Sequence, residues 1–84
     1  MKEVILITGS SRGIGAATAQ LAARQGYAVC INYVRDAQAA EDLCARIVAG
    51  GGEAIAVQAD VGDAADVERL FGEVDARLGT LTAL

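Results

Sequence analysis

The sequence contains no histidine and no proline, and it has only two cysteines. Without histidine, a Ser-His-Asp type of nucleophilic site is excluded, and no residue can complete a zinc site built from cysteine and histidine. Cys30 lies in an apolar run and Cys44 in a helical pattern, with no CxxC spacing. We therefore expect two reduced thiols in or near the core, and no metal site.

Basic charge and long apolar runs are also scarce. The formal net charge is −4, so a basic surface for nucleic acid or anionic membranes is not expected, and any phosphate must be bound by a local site. The apolar run over residues 4–7 is far shorter than the roughly 20 residues of a bilayer span, and it lacks the features of a signal peptide. The chain is expected to be cytoplasmic, with neither a nucleic-acid nor a membrane partner.

The composition is that of an ordered globular chain, with 54% hydrophobic and 21% charged residues. Its length of 84 residues allows at most one domain and falls below the common domain size of about 100 to 150 residues. A core of this size is marginal on its own. We expect residues 1–84 to be the N-terminal part of a single domain in a longer polypeptide.

Strand and helix patterns alternate along the chain. Largely apolar runs, the first of them rich in β-branched residues, predict strands over residues 3–8, 27–33 and 53–59, and a fourth strand that begins at residues 81–84. Three intervening segments have helical apolar spacing: Ile14, Ala17, Leu21 and Ala22, then Ala40, Leu43, Cys44 and Ile47, and finally Val67, Leu70, Phe71, Val74 and Leu78. Gly26, residues 50–52 and Gly79 end these helices. The alternation predicts an α/β fold with a parallel sheet covered by helices on both faces.

A glycine-rich loop joins the first strand to the first helix. Thr8, Gly9, Gly13 and Gly15 form the pattern TGxxxGxG, which differs from GxGxxG, and no GK[ST] motif of the ATPase type follows. In a parallel sheet this turn lies at the carboxyl edge, where a helix N-terminus favours an anion and glycines allow close backbone approach. The predicted phosphate-binding residues are Gly9, Ser10, Ser11, Arg12, Gly13, Ile14 and Gly15.

Four segments in order carry a family resemblance: TGSSRGIG after the first strand, INYVRD after the second, QADVGD after the third, and LTAL where a fourth begins. Together they resemble the short-chain dehydrogenase/reductase family, in particular reductase-type members with a loop arginine, such as 3-oxoacyl-carrier-protein reductases and glucose dehydrogenases. The resemblance implies a Rossmann-type doubly wound parallel sheet, of which this chain holds three βα units and the start of the fourth strand. It also implies an NADP(H)-dependent oxidoreductase that acts on a small carbonyl or alcohol substrate, a homodimer or homotetramer when complete.

The end of the second strand bears on the choice of cofactor. NAD-preferring enzymes place an acid here for the ribose 2′-hydroxyl, whereas this chain has Asn32, Tyr33, Val34 and Arg35. We expect Asn32 and Tyr33 to lie at the cofactor, and Arg35 to bind the 2′-phosphate of NADP(H) together with Arg12. Alternatively, these arginines are solvated surface charges, and Arg35 pairs with Asp36 or Glu41. Asp36 itself is expected in a turn or as a helix cap.

The third loop is predicted to bind adenine. The resemblance implies that Asp60 contacts the adenine amino group and that the backbone N–H of Val61 contacts a ring nitrogen. The alternative is that Asp60 is a turn carboxylate satisfied by local backbone donors. Asp63 is expected to cap the third helix.

No catalytic residue is predicted within the chain. The resemblance implies a serine and a Tyr-x-x-x-Lys pair beyond residue 84, and neither Tyr27 nor Tyr33 is followed by lysine at that offset, since Lys2 is the single lysine. Two other functions stay open at this point. One is a non-catalytic dinucleotide-binding or sensing module, and the other is a Rossmann-type methyltransferase, which the missing acid over residues 32–35 disfavours.

Overall fold

A computed structural model of the chain describes residues 3–8 and 13–79. The elements alternate in the order β1 (Val4–Thr8), α1 (Gly13–Arg24), β2 (Ala28–Tyr33), α2 (Ala37–Ala49), β3 (Glu53–Gln58) and α3 (Ala64–Arg77). The strands form one parallel sheet with β2 in the centre. The predicted α/β fold is confirmed, and the fourth strand predicted at residues 81–84 lies outside the described residues.

Helices cover both faces of the sheet because successive side chains of a buried strand point to opposite sides. From β2, Val29 and Ile31 pack in a cluster with α1 and α2, whereas Ala28 and Cys30 pack in a second cluster with α3. The α3 cluster comprises Val4, Leu6, Ala28, Cys30, Val57, Ala59, Leu70 and Val74. The doubly wound arrangement implied by the resemblance is therefore present.

Short polar side chains begin α2 and α3. Asp36 accepts a hydrogen bond from the Ala39 backbone N at 3.1 Å, and Asp63 accepts one from Ala65 N at 2.9 Å. Both satisfy N–H groups that the first helical turn leaves without an intrahelical acceptor. The predicted caps are confirmed, as is the left-handed conformation of Gly26 after α1, with φ of 96°.

The predicted core face of α1 is wrong except at Ala22. Ile14 is 87% exposed and Leu21 is 54% exposed, whereas Ala19 and Ala22 are the buried residues of this helix. Apolar residues occur on most sides of α1, so their spacing does not select one face. The alanine face packs on the sheet because methyl side chains let the helix backbone approach closely.

Smaller corrections concern α3 and the ends of the strands. Phe71 is 40% exposed, although it was predicted to share the buried stripe of Leu70 and Val74. Each strand is also one residue shorter than predicted. Glu3 and Ala59 flank the strands and are still bonded to β2, with Ala28 N donating to Glu3 O and Ala59 N donating to Tyr33 O. The predicted buried face of α2 is confirmed.

Candidate functional site

The three strands end side by side at their carboxyl edge. Thr8 pairs in register with Asn32, and Asn32 pairs with Val57. The segments that follow the strands therefore meet at one edge, which is where open parallel sheets bind ligands. We name residues 34–36, after β2, the Arg35 loop, and residues 59–63, after β3, the Asp60 loop.

The N-terminus of α1 lies at the same edge. The helix begins at Gly13, whose φ of 59° is in the left-handed region that favours glycine, and its first turn carries no acidic residue. By contrast, Asp36 and Asp63 already occupy the N-termini of α2 and α3. Of the predicted phosphate-binding residues, Gly13, Ile14 and Gly15 lie in the first turn of α1, where partial positive charge favours an anion. Gly9, Ser10, Ser11 and Arg12 lie outside the described residues.

Arg35 is exposed on the Arg35 loop. Within residues 3–8 and 13–79 it forms no ion pair, and the alternative pairing with Glu41 is not present. The neighbouring Asp36 is used by α2 as its N-cap through Oδ1. The guanidinium of Arg35 therefore has no acidic partner among the described residues, and the nearest acid along the loop caps α2.

Asn32 and Tyr33 fasten β2 to β3. Asn32 is 2% exposed, and its Nδ2 donates to the carbonyl oxygens of Val57 at 3.3 Å and Ala59 at 3.0 Å. Tyr33 is half-buried against the α1/α2 cluster, and its carbonyl accepts from Ala59 N at 3.0 Å. Both predicted site residues thus hold the start of the Asp60 loop, and their contact with a cofactor stays a prediction.

Asp60 and Val61 lie exposed on the Asp60 loop. Oδ1 of Asp60 accepts from Gly62 N at 2.9 Å, and the backbone N of Asp60 donates to Oδ2 of Asp66 at 2.9 Å. The turn thus engages one carboxylate oxygen of Asp60, while Oδ2 has no partner among the described residues. Local turn bonding, the alternative considered for Asp60, exists alongside an oxygen that can accept from a ligand.

Three exposed apolar residues belong to segments that begin or end at this edge, and sequence reasoning did not single out one of them, Val34. Ile14, Val34 and Val61 are 87%, 49% and 51% exposed, and each lies in a segment that follows a strand or begins α1. An exposed apolar surface beside charged groups suits a flat, partly apolar ligand with an anionic end. Adenosine phosphates have that chemistry.

Gln58, Asp66 and Arg69 are further residues that sequence reasoning missed. Gln58 Nε2 donates to the Val34 carbonyl at 3.3 Å, and Arg69 donates to the Gln58 carbonyl. Nη2 of Arg69 also lies 3.7 Å from Oδ1 of Asp66. The signal available in the sequence was a polar residue at the last position of β3, directly after the apolar residues 54–57.

Ionisable groups in the described part of the chain offer no second chemical site. Among residues 3–8 and 13–79 no cluster of His, Cys, Asp and Glu side chains could hold a metal ion. Burial raises the pKa of the Cys30 thiol to about 12, and burial also raises the pKa of Cys44. These thiols are weak nucleophiles inside or beside the core. Helices in the described ranges are too short or too polar to cross a membrane.

Comparison with known sequences gives extended matches. A family model described as short chain dehydrogenase matches residues 3–84. The 3-oxoacyl-acyl-carrier-protein reductase of Synechocystis sp. is 52% identical over 69 residues, which are 82% of this chain and 28% of that reductase. The chain spans 28 to 34% of the length of such curated relatives.

Solved structures match at similar levels. A dehydrogenase/reductase from Sinorhizobium meliloti is 40% identical with a TM-score of 0.90, and the match covers 94% of this chain and 31% of that one. A short chain dehydrogenase from Burkholderia cenocepacia in complex with NADP is 42% identical with a TM-score of 0.87. That match covers 95% of this chain and 32% of the other.

Proposed function

Because the chain belongs to the short-chain dehydrogenase family, we propose that it is the N-terminal, cofactor-binding part of one Rossmann-type domain in an NADP(H)-dependent oxidoreductase. The cofactor assignment rests on one observation about the Arg35 loop, namely the different roles of its two charged residues, Arg35 and Asp36. Arg35 is exposed without an ion-pair partner among the described residues, and Asp36 caps α2. No acid at the end of β2 is thus left for a ribose 2′-hydroxyl.

The pyrophosphate is assigned to the N-terminus of α1. In this proposal Gly13, Ile14 and Gly15 present backbone N–H groups to it, and Gly9, Ser10, Ser11 and Arg12 complete the loop. Support comes from the left-handed Gly13, the absence of an acid in the first turn, and the partial positive charge of a helix N-terminus.

The 2′-phosphate is assigned to Arg35 and Arg12, which would donate to it as a charge-assisted pair. The adenine is assigned to Asp60 and Val61, with Oδ2 of Asp60 accepting from the amino group and Val61 N donating to a ring nitrogen. Asn32 and Tyr33 complete this end of the site by holding β2 against β3. Exposed Val34 and Val61 offer apolar surface to the adenosine.

The nicotinamide supplies or accepts the hydride when the cofactor is bound. Residues of this chain bind and orient that cofactor, and none of them is assigned a proton-transfer role. The acid–base tyrosine and lysine of the complete enzyme are proposed to lie beyond residue 84, together with the site for a small carbonyl or alcohol substrate. The complete protein is proposed to be a cytoplasmic homodimer or homotetramer.

The names of the similar proteins support this proposal. The Synechocystis relative is a reductase of a 3-oxoacyl group, which is a carbonyl, and the Burkholderia structure is a complex with NADP. Both resemble this chain over four-fifths of its length or more.

Titration of the full-length protein with NADPH and NADH at one fixed salt concentration tests the cofactor assignment. A charge-assisted arginine contact to phosphate is worth roughly 1.5 to 3 kcal/mol, so the Kd for NADPH should be lower than that for NADH by about tenfold or more. Equal affinities would contradict the roles given to Arg12 and Arg35. Turnover with a panel of ketones separates the oxidoreductase from the sensing module, which binds NADPH without oxidising it.

A further inference from the structure

The Arg35 loop is tied to β3 by a glutamine. Gln58, the last residue of β3, donates from Nε2 to the carbonyl oxygen of Val34 at 3.3 Å. Val34 is the residue directly before Arg35. The position of the Arg35 backbone is therefore linked to the end of the neighbouring strand by a side chain as well as by the sheet.

Gln58 is held in turn by α3. Nη2 of Arg69 donates to the carbonyl oxygen of Gln58 and lies 3.4 Å from its Oε1. With Oε1 facing the guanidinium, the amide nitrogen of Gln58 is left to donate to Val34. Arg69 thus fixes the side-chain orientation that the contact with the Arg35 loop requires.

Arg69 is also linked to the Asp60 loop, through Asp66. Nη2 of Arg69 lies 3.7 Å from Oδ1 of Asp66, and Oδ2 of Asp66 accepts from the backbone N of Asp60 at 2.9 Å. Asp66 lies in the first turn of α3, where the helix dipole favours a carboxylate. One continuous chain of polar contacts therefore runs from Val34 through Gln58, Arg69 and Asp66 to Asp60.

We propose that Gln58, Arg69 and Asp66 form a positioning bridge that sets the spacing between the Arg35 loop and the Asp60 loop for the adenosine 2′-phosphate end of the cofactor. The proposal rests on the proposed function, since it gives the bridge a role only if these loops bind the 2′-phosphate and the adenine. The three residues act through the Val34 carbonyl and the Asp60 amide. They are positioning residues and not direct ligands.

Because the bridge residues are partly exposed, we expect the bridge to affect ligand binding more than folding stability. Arg69 and Asp66 have side chains that are 43% and 31% exposed, so their ion pair contributes little to folding. Holding two loops at a fixed spacing before binding removes an ordering cost that the ligand would otherwise meet. A ligand whose 2′-phosphate is bound by Arg35 gains most from this, whereas a ligand without that phosphate meets the Arg35 loop only through Val34 and gains much less.

The test uses the full-length protein and two fragments of the cofactor, measured by calorimetric titration at one salt concentration. Adenosine 2′,5′-bisphosphate carries adenine and the 2′-phosphate, whereas adenosine 5′-monophosphate lacks the 2′-phosphate. Gln58→Met keeps the side-chain length and removes its donor and acceptor. Gln38→Met is the matched control, because Gln38 lies in the first turn of α2 beside the Arg35 loop but bonds Asp42 within its own helix at 2.9 Å.

Gln58→Met should raise the Kd for adenosine 2′,5′-bisphosphate by about threefold to tenfold, which is the effect of one lost hydrogen bond. The Kd for adenosine 5′-monophosphate should stay within about twofold of the wild-type value. Gln38→Met should leave the Kd values for both fragments within about twofold of the wild-type values. Arg69→Met should reproduce the Gln58→Met result. In an Arg35→Ala background Gln58→Met should change bisphosphate affinity by about twofold or less, since coupled residues are not additive. The KM for NADPH should rise with kcat unchanged.

Three results distinguish failure of the bridge from failure of the proposed function. Wild-type protein that binds the bisphosphate no better than the monophosphate contradicts the proposed function itself. Wild-type protein that prefers the bisphosphate, together with a Gln58→Met variant that matches Gln38→Met, overturns the bridge alone. Equal weakening of both fragments with a lowered melting temperature also overturns it, because that is the signature of a purely structural contact.

Discussion

The side-chain amide of Asn32 donates to the carbonyl oxygen of Ala59 at 3.0 Å, joining the end of β2 to the residue directly before Asp60. Asn32 is 2% exposed and is the one buried polar residue in the described part of the chain. A buried amide is tolerated only when it is hydrogen-bonded, because desolvation without a partner is costly. We therefore expect the Asn32 amide to stabilise the junction between β3 and the Asp60 loop.

Asn32→Leu should destabilise the full-length protein. Leucine has a similar size but donates no hydrogen bond, so the Ala59 carbonyl loses its side-chain partner. The expected loss in the free energy of unfolding is about 1 to 3 kcal/mol, measured by urea denaturation. Gln38→Leu, an exposed control, should change it by no more than about 0.5 kcal/mol. An Asn32→Leu variant as stable as this control would show that the amide is dispensable.

Arg35→Ala should weaken the binding of NADP(H) by about tenfold or more and leave the binding of NAD(H) nearly unchanged, because only NADP(H) carries the 2′-phosphate. Arg24→Ala is the matched control, since Arg24 is an exposed arginine in the last turn of α1, at the other end of that helix. Kd values for both cofactors, measured by fluorescence titration, check the expectation. If Arg35→Ala weakens both cofactors equally, the residue supports the loop and does not bind the phosphate.

Asp60→Asn separates the two interpretations of Asp60. Asparagine keeps an oxygen for Gly62 N, so the turn should survive, but it replaces the second acceptor oxygen with a donor. If that oxygen accepts from the adenine amino group, NADPH and NADH should both weaken by about threefold to tenfold. Unchanged affinity for both cofactors would leave Asp60 with only its turn contact.

The order of elements and the helix caps could be predicted because local chemistry determines them. Asp36 and Asp63 directly precede apolar helical stripes, and a short acidic side chain in that position has few other uses. The run over residues 3–8 could be assigned as a strand covered on both faces because its residues 4–7 are all apolar and none of them is suited to solvent.

The packing face of α1 and the bridge between the two loops depend on contacts distant in sequence. Spacing could not choose between Ala19 and Leu21 in a helix that is apolar on most sides, so the close fit of alanines to the sheet decided it. Gln58 and Arg69 are both exposed polar residues when read locally. Their link to Val34 follows only from the register of β2 with β3 and the placement of α3.

Two glycines should respond oppositely to alanine. A Cβ at Gly52 would lie 2.8 Å from Cγ2 of Ile47 and 3.1 Å from the Ile47 carbonyl, so Gly52→Ala should destabilise the protein by roughly 1 to 3 kcal/mol. Gly72 lies inside α3, where a Cβ would meet nothing within 4 Å. Gly72→Ala should raise stability by about 1 kcal/mol through helix propensity. Thermal melts of both variants would contradict this if the two shifts had the same sign.

The buried thiol of Cys30 should make stability fall at alkaline pH. Burial is the main cause that raises its pKa from 9.0 to about 12, with smaller raising effects from Cys44 and Glu73 and a lowering effect from Arg77. Between these values the unfolded chain releases a proton that the folded chain keeps. The unfolded state then binds fewer protons, so the contribution of Cys30 is complete below about pH 9 and is lost as pH rises toward 12.

Comparison of wild type with Cys30→Ala isolates this contribution. From pH 8 to pH 10 the unfolding free energy of wild type should drop by about 1 kcal/mol more than that of the variant, as one ionisation in the unfolded chain allows. Urea denaturation at pH 8, 9 and 10 measures both curves. Cys44→Ala is the control, because Cys44 is only half-buried and should contribute a smaller pH dependence. Parallel curves for wild type and Cys30→Ala would mean that Cys30 ionises equally well in the folded protein, which its complete burial in the sheet argues against.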